Sequence, residues 1–111
     1  MRSEKFPALG IDLVEIKKAD SFYKKNKSNL ASFLRKDERD ALRESSRPHE
    51  TLAEILAAKE AVFKSGDGRW MGPRGFKKIP VLSLIKGPWK SLRVSVIKKN
   101  KYVVAYALGH Y

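Results

Sequence analysis

The chain has 111 residues, no cysteine, 24 Lys and Arg against 12 Asp and Glu, and 42% apolar residues. This length supports one compact domain, 1–111, with one modest core. The absence of cysteine excludes disulfides, thiolate chemistry and cysteine-ligated zinc, and no apolar run approaches the roughly 20 residues of a membrane span. A net charge of +12 cannot be neutralised internally, so the expected partner is an anion: nucleic acid, a phosphorylated cofactor or an acidic protein. Met1 leads into mixed charges and then FPALGIDLV, too short and too acidic for a secretory segment, which makes a soluble cytoplasmic protein the expectation.

In chain order, FPALGIDLVEI (6–16) reads as a short apolar strand. The basic segment after it carries Phe22, Leu30, Phe33, Leu34 and Leu42 at helical spacing, broken near Asn26 to Asn29, which predicts two short helices. SSRPHE offers Ser45 or Ser46 as a cap and Pro48 for a first turn. The strongest helix follows, ETLAEILAAKEAVFKSG, with Leu52, Ile55, Leu56, Ala58, Val62 and Phe63 on its apolar face and Gly66 as its stop. DGRWMGPRG reads as a loop; KKIPVLSLI, SLRVSVIK and KYVVAYAL read as strands. Helices first and strands after them predict an α+β fold, a small, mainly antiparallel sheet packed on helices.

Asp12 puts a charge where a strand is being buried. Glu60 and Lys64, four apart, share a face of the long helix, with Lys59 beside them. Two facing carboxylates attract a hard cation, and a neighbouring lysine attracts the phosphate that such a cation bridges. Taken alone, a Glu–Lys pair at this spacing is most often a solvated ion pair worth a few tenths of a kcal/mol. A carboxylate at the end of an edge strand is likewise most often just solvated.

Together, however, GIDLVEI and LAAKEAVFKSGDG, in this order with a Pro-containing loop between them, resemble the two signature motifs of the holo-acyl-carrier-protein synthases, the short-chain 4′-phosphopantetheinyl transferases. The resemblance covers residues 9–68 well and the rest loosely. It implies that Asp12 and Glu60 hold Mg2+ on the pyrophosphate of coenzyme A, and that Glu60 and Lys64 serve catalysis. It also implies that Lys59, Lys64 and Gly66 contact the coenzyme. The reaction it implies is attack of an acyl carrier protein serine on the β-phosphorus of coenzyme A, with release of 3′,5′-adenosine bisphosphate, in fatty acid biosynthesis. Lys17, Lys18, Lys24 and Lys25 fall in the segment that docks the acidic carrier protein in that family. The resemblance further implies a homotrimer with active sites between subunits, and the strands KKIPVLSLI and KYVVAYALGHY, apolar on both alternating sets, supply a motive for it.

Several positions depart from the family pattern. Lys18 and Ile55 stand where arginines are common. Ser95 is kept, but Ile97 and Lys98 replace the second serine and the histidine of the C-terminal Ser-x-Ser-His motif. His110 reads as a tail residue. These departures keep a second reading open, a non-catalytic relative that binds carrier protein or coenzyme A. A third, a basic nucleic-acid-binding module, rests on charge and on Trp70, Phe76, Trp89, Tyr102 and Tyr106 interspersed with Lys and Arg. Tyr102 and Tyr106 share one strand face with Val104, an arrangement that packing explains, so nucleic acid is not the expected partner.

Overall fold

The computed structural model describes residues 7–65, 72–87 and 92–110, with residues 7, 72–74 and 110 as backbone only. Strand β1 (Pro7–Glu15) runs directly into helix α1 (Ile16–Asn26); a 3-10 turn (Leu30–Ser32), α2 (Lys36–Glu44) and the long α3 (Pro48–Lys64) follow. Then come α4 (Gly72–Lys78), α5 (Val81–Lys86) and the hairpin of β2 (Arg93–Lys99) and β3 (Tyr102–His110). The three strands form one antiparallel sheet in the order β1-β3-β2, with the last strand central. Asn100 takes φ 56 in the turn between β2 and β3, a left-handed conformation that Asn tolerates.

One face of the sheet packs on α3 and the other does not. Gly10, Val103, Ala105, Ala107 and Val94 are buried on the α3 side. Helix α3 meets them with small residues, Ala57, Ala58 and Ala61, all fully buried. The approach is closest at Gly10, where a Cβ would lie 1.8 Å from the Ala61 carbonyl oxygen, so only glycine fits. On the opposite face Leu9, Ile11, Leu13, Ile97, Tyr102 and Tyr106 are exposed. Leu34, Leu42, Leu52, Ile55 and Val62 complete the core, with Phe22, Leu30 and Phe33 packed at its margin.

Four sequence expectations fail. KKIPVLSLI is not a strand: its first residues end α4, Pro80 caps α5, and Val81 and Leu84 point into the core from a helix. A short apolar run has no period of its own to separate helix from strand. Proline supplies no ladder N–H, and the carbonyls of Phe76, Lys77 and Ile79 are gathered by the Lys59 ammonium rather than offered to a neighbouring strand. The loop expected over DGRWMGPRG is helical from Gly72 onward. The cap of α3 also differs, with Arg47 in the N-cap position and Pro48 opening the helix. Ser45 instead accepts the Arg47 N–H and pairs with Thr51. His110 is no loose tail, because its backbone closes β3 opposite Pro7. Gly66, Trp70 and Trp89 lie outside the described residues.

Candidate active site

The alternation of β1 sets the site. With Leu9, Ile11 and Leu13 on the open face, Gly10, Asp12 and Val14 turn toward α3, and the glycine lets the helix come close just before Asp12. Glu60 and Lys64 sit one turn apart near the end of α3. The Lys64 ammonium donates to Asp12 Oδ1 at 2.8 Å, from a side chain 51% exposed to one 13% exposed. Burial, and then the negative charge of Asp12, raise the Glu60 pKa above the ordinary carboxyl value, with Lys64 opposing. The hydrogen bond and charge of Asp12 raise the pKa of Lys64. The two carboxylates are thus close enough to repel, and one ammonium stands between them and full repulsion.

Among the described residues no group of three or more His, Asp or Glu is placed to hold a metal. Two carboxylates are nevertheless the donor set that suits Mg2+, which takes one or two protein carboxylates and completes its shell with substrate phosphates and water. Burial first, and then the charge of Asp12, raise the proton affinity of Glu60, and Asp12 and Glu60 face each other across the β1–α3 contact. The residues present therefore fit the ion.

Lys59 lies elsewhere. It is fully buried, its ammonium 3.0 Å from Glu38 Oε1 and within hydrogen-bond reach of the carbonyls of Phe76, Lys77 and Ile79 at 3.2, 2.8 and 3.1 Å. Its three N–H bonds are used inside the protein, so it has none to offer a coenzyme phosphate. Burial dominates both members of this pair, lowering the Lys59 pKa and raising that of Glu38. Glu38, missed in the sequence, also accepts the Arg35 N–H at 2.8 Å and leaves Oε2 without a partner. Its only sequence signal is a glutamate three residues into a predicted helix, without the Ser or Thr that marks a capping box.

Lys17, Lys18, Lys24 and Lys25 are exposed on α1, Lys24 in a 3.1 Å ion pair with Asp20. Lys98 pairs with Glu50 in the first turn of α3 at 3.3 Å, while Ile97 is 53% exposed on the open sheet face.

A sequence profile of the 4′-phosphopantetheinyl transferase superfamily matches residues 8–107. Among solved structures, the chain is similar to the holo-(acyl-carrier-protein) synthase of Neisseria meningitidis, at 24% identity and a TM-score of 0.73 over 94% of this chain and 98% of that one. It is also similar to the Bacillus anthracis synthase, in complex with coenzyme A (3′,5′-ADP), at 20% identity and a TM-score of 0.68 over 97% and 98% of the two chains. The Helicobacter pylori synthase, in complex with coenzyme A, matches at 21% identity and a TM-score of 0.62 over 93% and 99%. No curated protein matches at a significant level.

Proposed function

The chain belongs to the 4′-phosphopantetheinyl transferase superfamily, and on that premise we propose that it transfers the 4′-phosphopantetheine arm of coenzyme A, with Mg2+, to a serine of an apo acyl carrier protein. The observation that carries this reading is the meeting of Asp12, Glu60 and Lys64 across the β1–α3 contact. Asp12 and Glu60 would hold the ion, which would supply charge neutralisation at the pyrophosphate oxygens. Glu60 takes the serine proton directly or through water. The serine oxygen forms its bond to the β-phosphorus as the bond to the bridging oxygen breaks, and 3′,5′-adenosine bisphosphate leaves. Lys64, half exposed at the end of α3, reaches the phosphate and balances its charge. Lys17, Lys18, Lys24 and Lys25 steer the acidic carrier protein, an effect strongest at low salt.

The open sheet face supports a trimer as part of this reading. Leu9, Ile11, Leu13 and Ile97 are each more than half exposed, beside Tyr102 and Tyr106. A cyclic assembly buries such a face with no open edge left over. A monomer mass by light scattering at physiological salt contradicts this part of the reading. No described helix is long and apolar enough to cross a membrane.

The engagement of Lys98 with Glu50 favours a second reading, in which the chain binds coenzyme A or carrier protein without transfer. The mass of a carrier protein incubated with coenzyme A and Mg2+ separates the two. Gain of the phosphopantetheine mass supports transfer, and an unchanged mass beside intact binding supports the second.

A further inference from the structure

Lys59 stands next to Glu60 in the sequence, yet its ammonium is engaged with the end of another helix. The seven residues of α4 include Gly72, Pro73 and Gly75, and so short and glycine-rich a helix does not hold itself in water. Among its described side chains little is buried: Gly75 has none to pack, Phe76 and Lys77 are half-buried, and Lys78 is exposed. What holds α4 is a pair of cations on its last carbonyls. Lys59 donates to those of Phe76 and Lys77 at 3.2 and 2.8 Å, and to that of Ile79, just beyond the helix, at 3.1 Å. The Arg35 guanidinium, at the start of α2, donates to the one between them, Lys78, at 3.0 Å. Glu38 ties the two together, pairing with Lys59 at 3.0 Å and accepting the Arg35 N–H at 2.8 Å. Four successive carbonyls at the negative end of α4 are thus bound from α2 and α3.

This clasp ends in an aromatic contact. Fixing the Phe76 carbonyl also places its ring, 5.8 Å from the Lys59 ammonium and edge-on to Phe63, with ring centroids 6.1 Å apart and planes at 70°. Phe63 follows Lys59 by one turn and shares a face with Glu60 as well, so it lies between the clasp and the site. It is 41% exposed, a large apolar surface beside the two groups that bind metal and phosphate in the proposed reaction. A ligand with its phosphates at Glu60 and Lys64 runs its uncharged flank across that ring. Without the clasp Phe76 loses its seat, and Phe63 is free to change rotamer into the site. We infer that Lys59 is a positioning residue for the transfer: through the carbonyls of α4 it sets Phe76 against Phe63, and so fixes the Phe63 ring as a wall for coenzyme A beside Glu60 and Lys64. This rests on the transferase reading of that site.

Lys59→Met alone strands Glu38, so the test uses Lys59→Met together with Glu38→Leu, which removes the clasp and the buried charge at once. Phe63→Leu removes the wall at the exposed end and leaves the clasp in place. The clasp variant, Phe63→Leu, their combination and the wild type are compared by urea unfolding, by calorimetry of coenzyme A binding with Mg2+, and by the KM values for coenzyme and carrier. The inference predicts coenzyme A affinity about tenfold weaker in the clasp variant and in Phe63→Leu, with no further loss when they are combined. The coenzyme KM rises in step, the carrier KM does not, and the unfolding midpoint of Phe63→Leu barely changes. Wild-type coenzyme affinity in a folded clasp variant overturns the inference, and so do losses that multiply in the combination. Wild-type affinity in Phe63→Leu overturns it whether or not the clasp variant folds. A carrier KM that rises as far as the coenzyme KM marks a general loosening and overturns it too. A wild type that binds no coenzyme A with Mg2+ overturns the transferase reading itself, and the inference with it.

Discussion

Replacing Lys59 by Met removes the ammonium from a pair in which both side chains are fully buried. The Ile79 carbonyl keeps the Val81 N–H at 2.9 Å, and those of Phe76 and Lys77 are only partly buried. The loss is therefore mainly electrostatic: Glu38 is left as a buried carboxylate with one oxygen already unpartnered. Breaking a buried pair in this way costs about 3–5 kcal/mol, a large share of the roughly 5–15 kcal/mol that holds a domain together. At a urea slope of about 1.5 kcal/mol per M, the unfolding midpoint falls by about 2–3 M. The deficit depends on pH. Burial already raises the Glu38 pKa above its usual 4.5 against the opposing charge of Lys59, and without that charge it rises further. A raised folded-state pKa means the folded protein holds the proton more tightly, so the penalty is absent below the unfolded value and grows as pH climbs through the folded one. The deficit against wild type is thus greatest at neutral pH and shrinks toward pH 4.5. Adding Glu38→Leu removes the stranded charge and restores most of the stability. Urea unfolding at fixed protein concentration checks all three. A deficit under about 1 kcal/mol at pH 7, an equal deficit at pH 5, or a double variant as weak as the single one refutes the reasoning.

Other outcomes are fixed by the same geometry. Gly10→Ala brings a methyl onto the Ala61 carbonyl and forces β1 away from α3. Urea unfolding should show a loss of about 1–3 kcal/mol or more, with metal-dependent coenzyme A binding lost as Asp12 moves. Asp12→Asn and Glu60→Gln should each abolish Mg2+-dependent coenzyme A binding, measured by calorimetry, while the unfolding midpoint barely changes. In the wild type that binding should fall on acidification at a higher pH than an ordinary glutamate predicts, because burial and Asp12 raise the Glu60 pKa and the protonated form surrenders its place on the metal. Lys64→Gln removes the ammonium that now occupies Asp12, so Mn2+ alone, followed by electron paramagnetic resonance, should bind several-fold more tightly while turnover falls.

The sequence was legible where a residue's chemistry conflicts with its surroundings. Asp12 could be singled out because charge is costly in an apolar strand, whereas Glu60 and Lys64, an ordinary pair on one helix face by themselves, stood out through the family motifs. Gly10 explains why they meet, yet a glycine before an Asp says nothing until the Ala61 carbonyl is seen 1.8 Å from where its Cβ would be. Lys59 was misplaced because adjacency to Glu60 in sequence is about 100° of rotation on a helix, which turns it to the opposite partner, Glu38. The helix over 81–86 was hidden by β-branched residues and by Pro80, whose meaning depends on carbonyls held by that same lysine, and the helix over 72–78 by the glycines and proline of GPRG.

The central claim is tested by incubating the protein with coenzyme A, Mg2+ and an apo acyl carrier protein, and reading the intact mass of the carrier. The account predicts gain of one phosphopantetheine on the carrier serine in the wild type, and none in Asp12→Asn, Glu60→Gln or a carrier whose serine is changed to alanine. An unchanged carrier mass with a wild-type protein that binds both partners contradicts it.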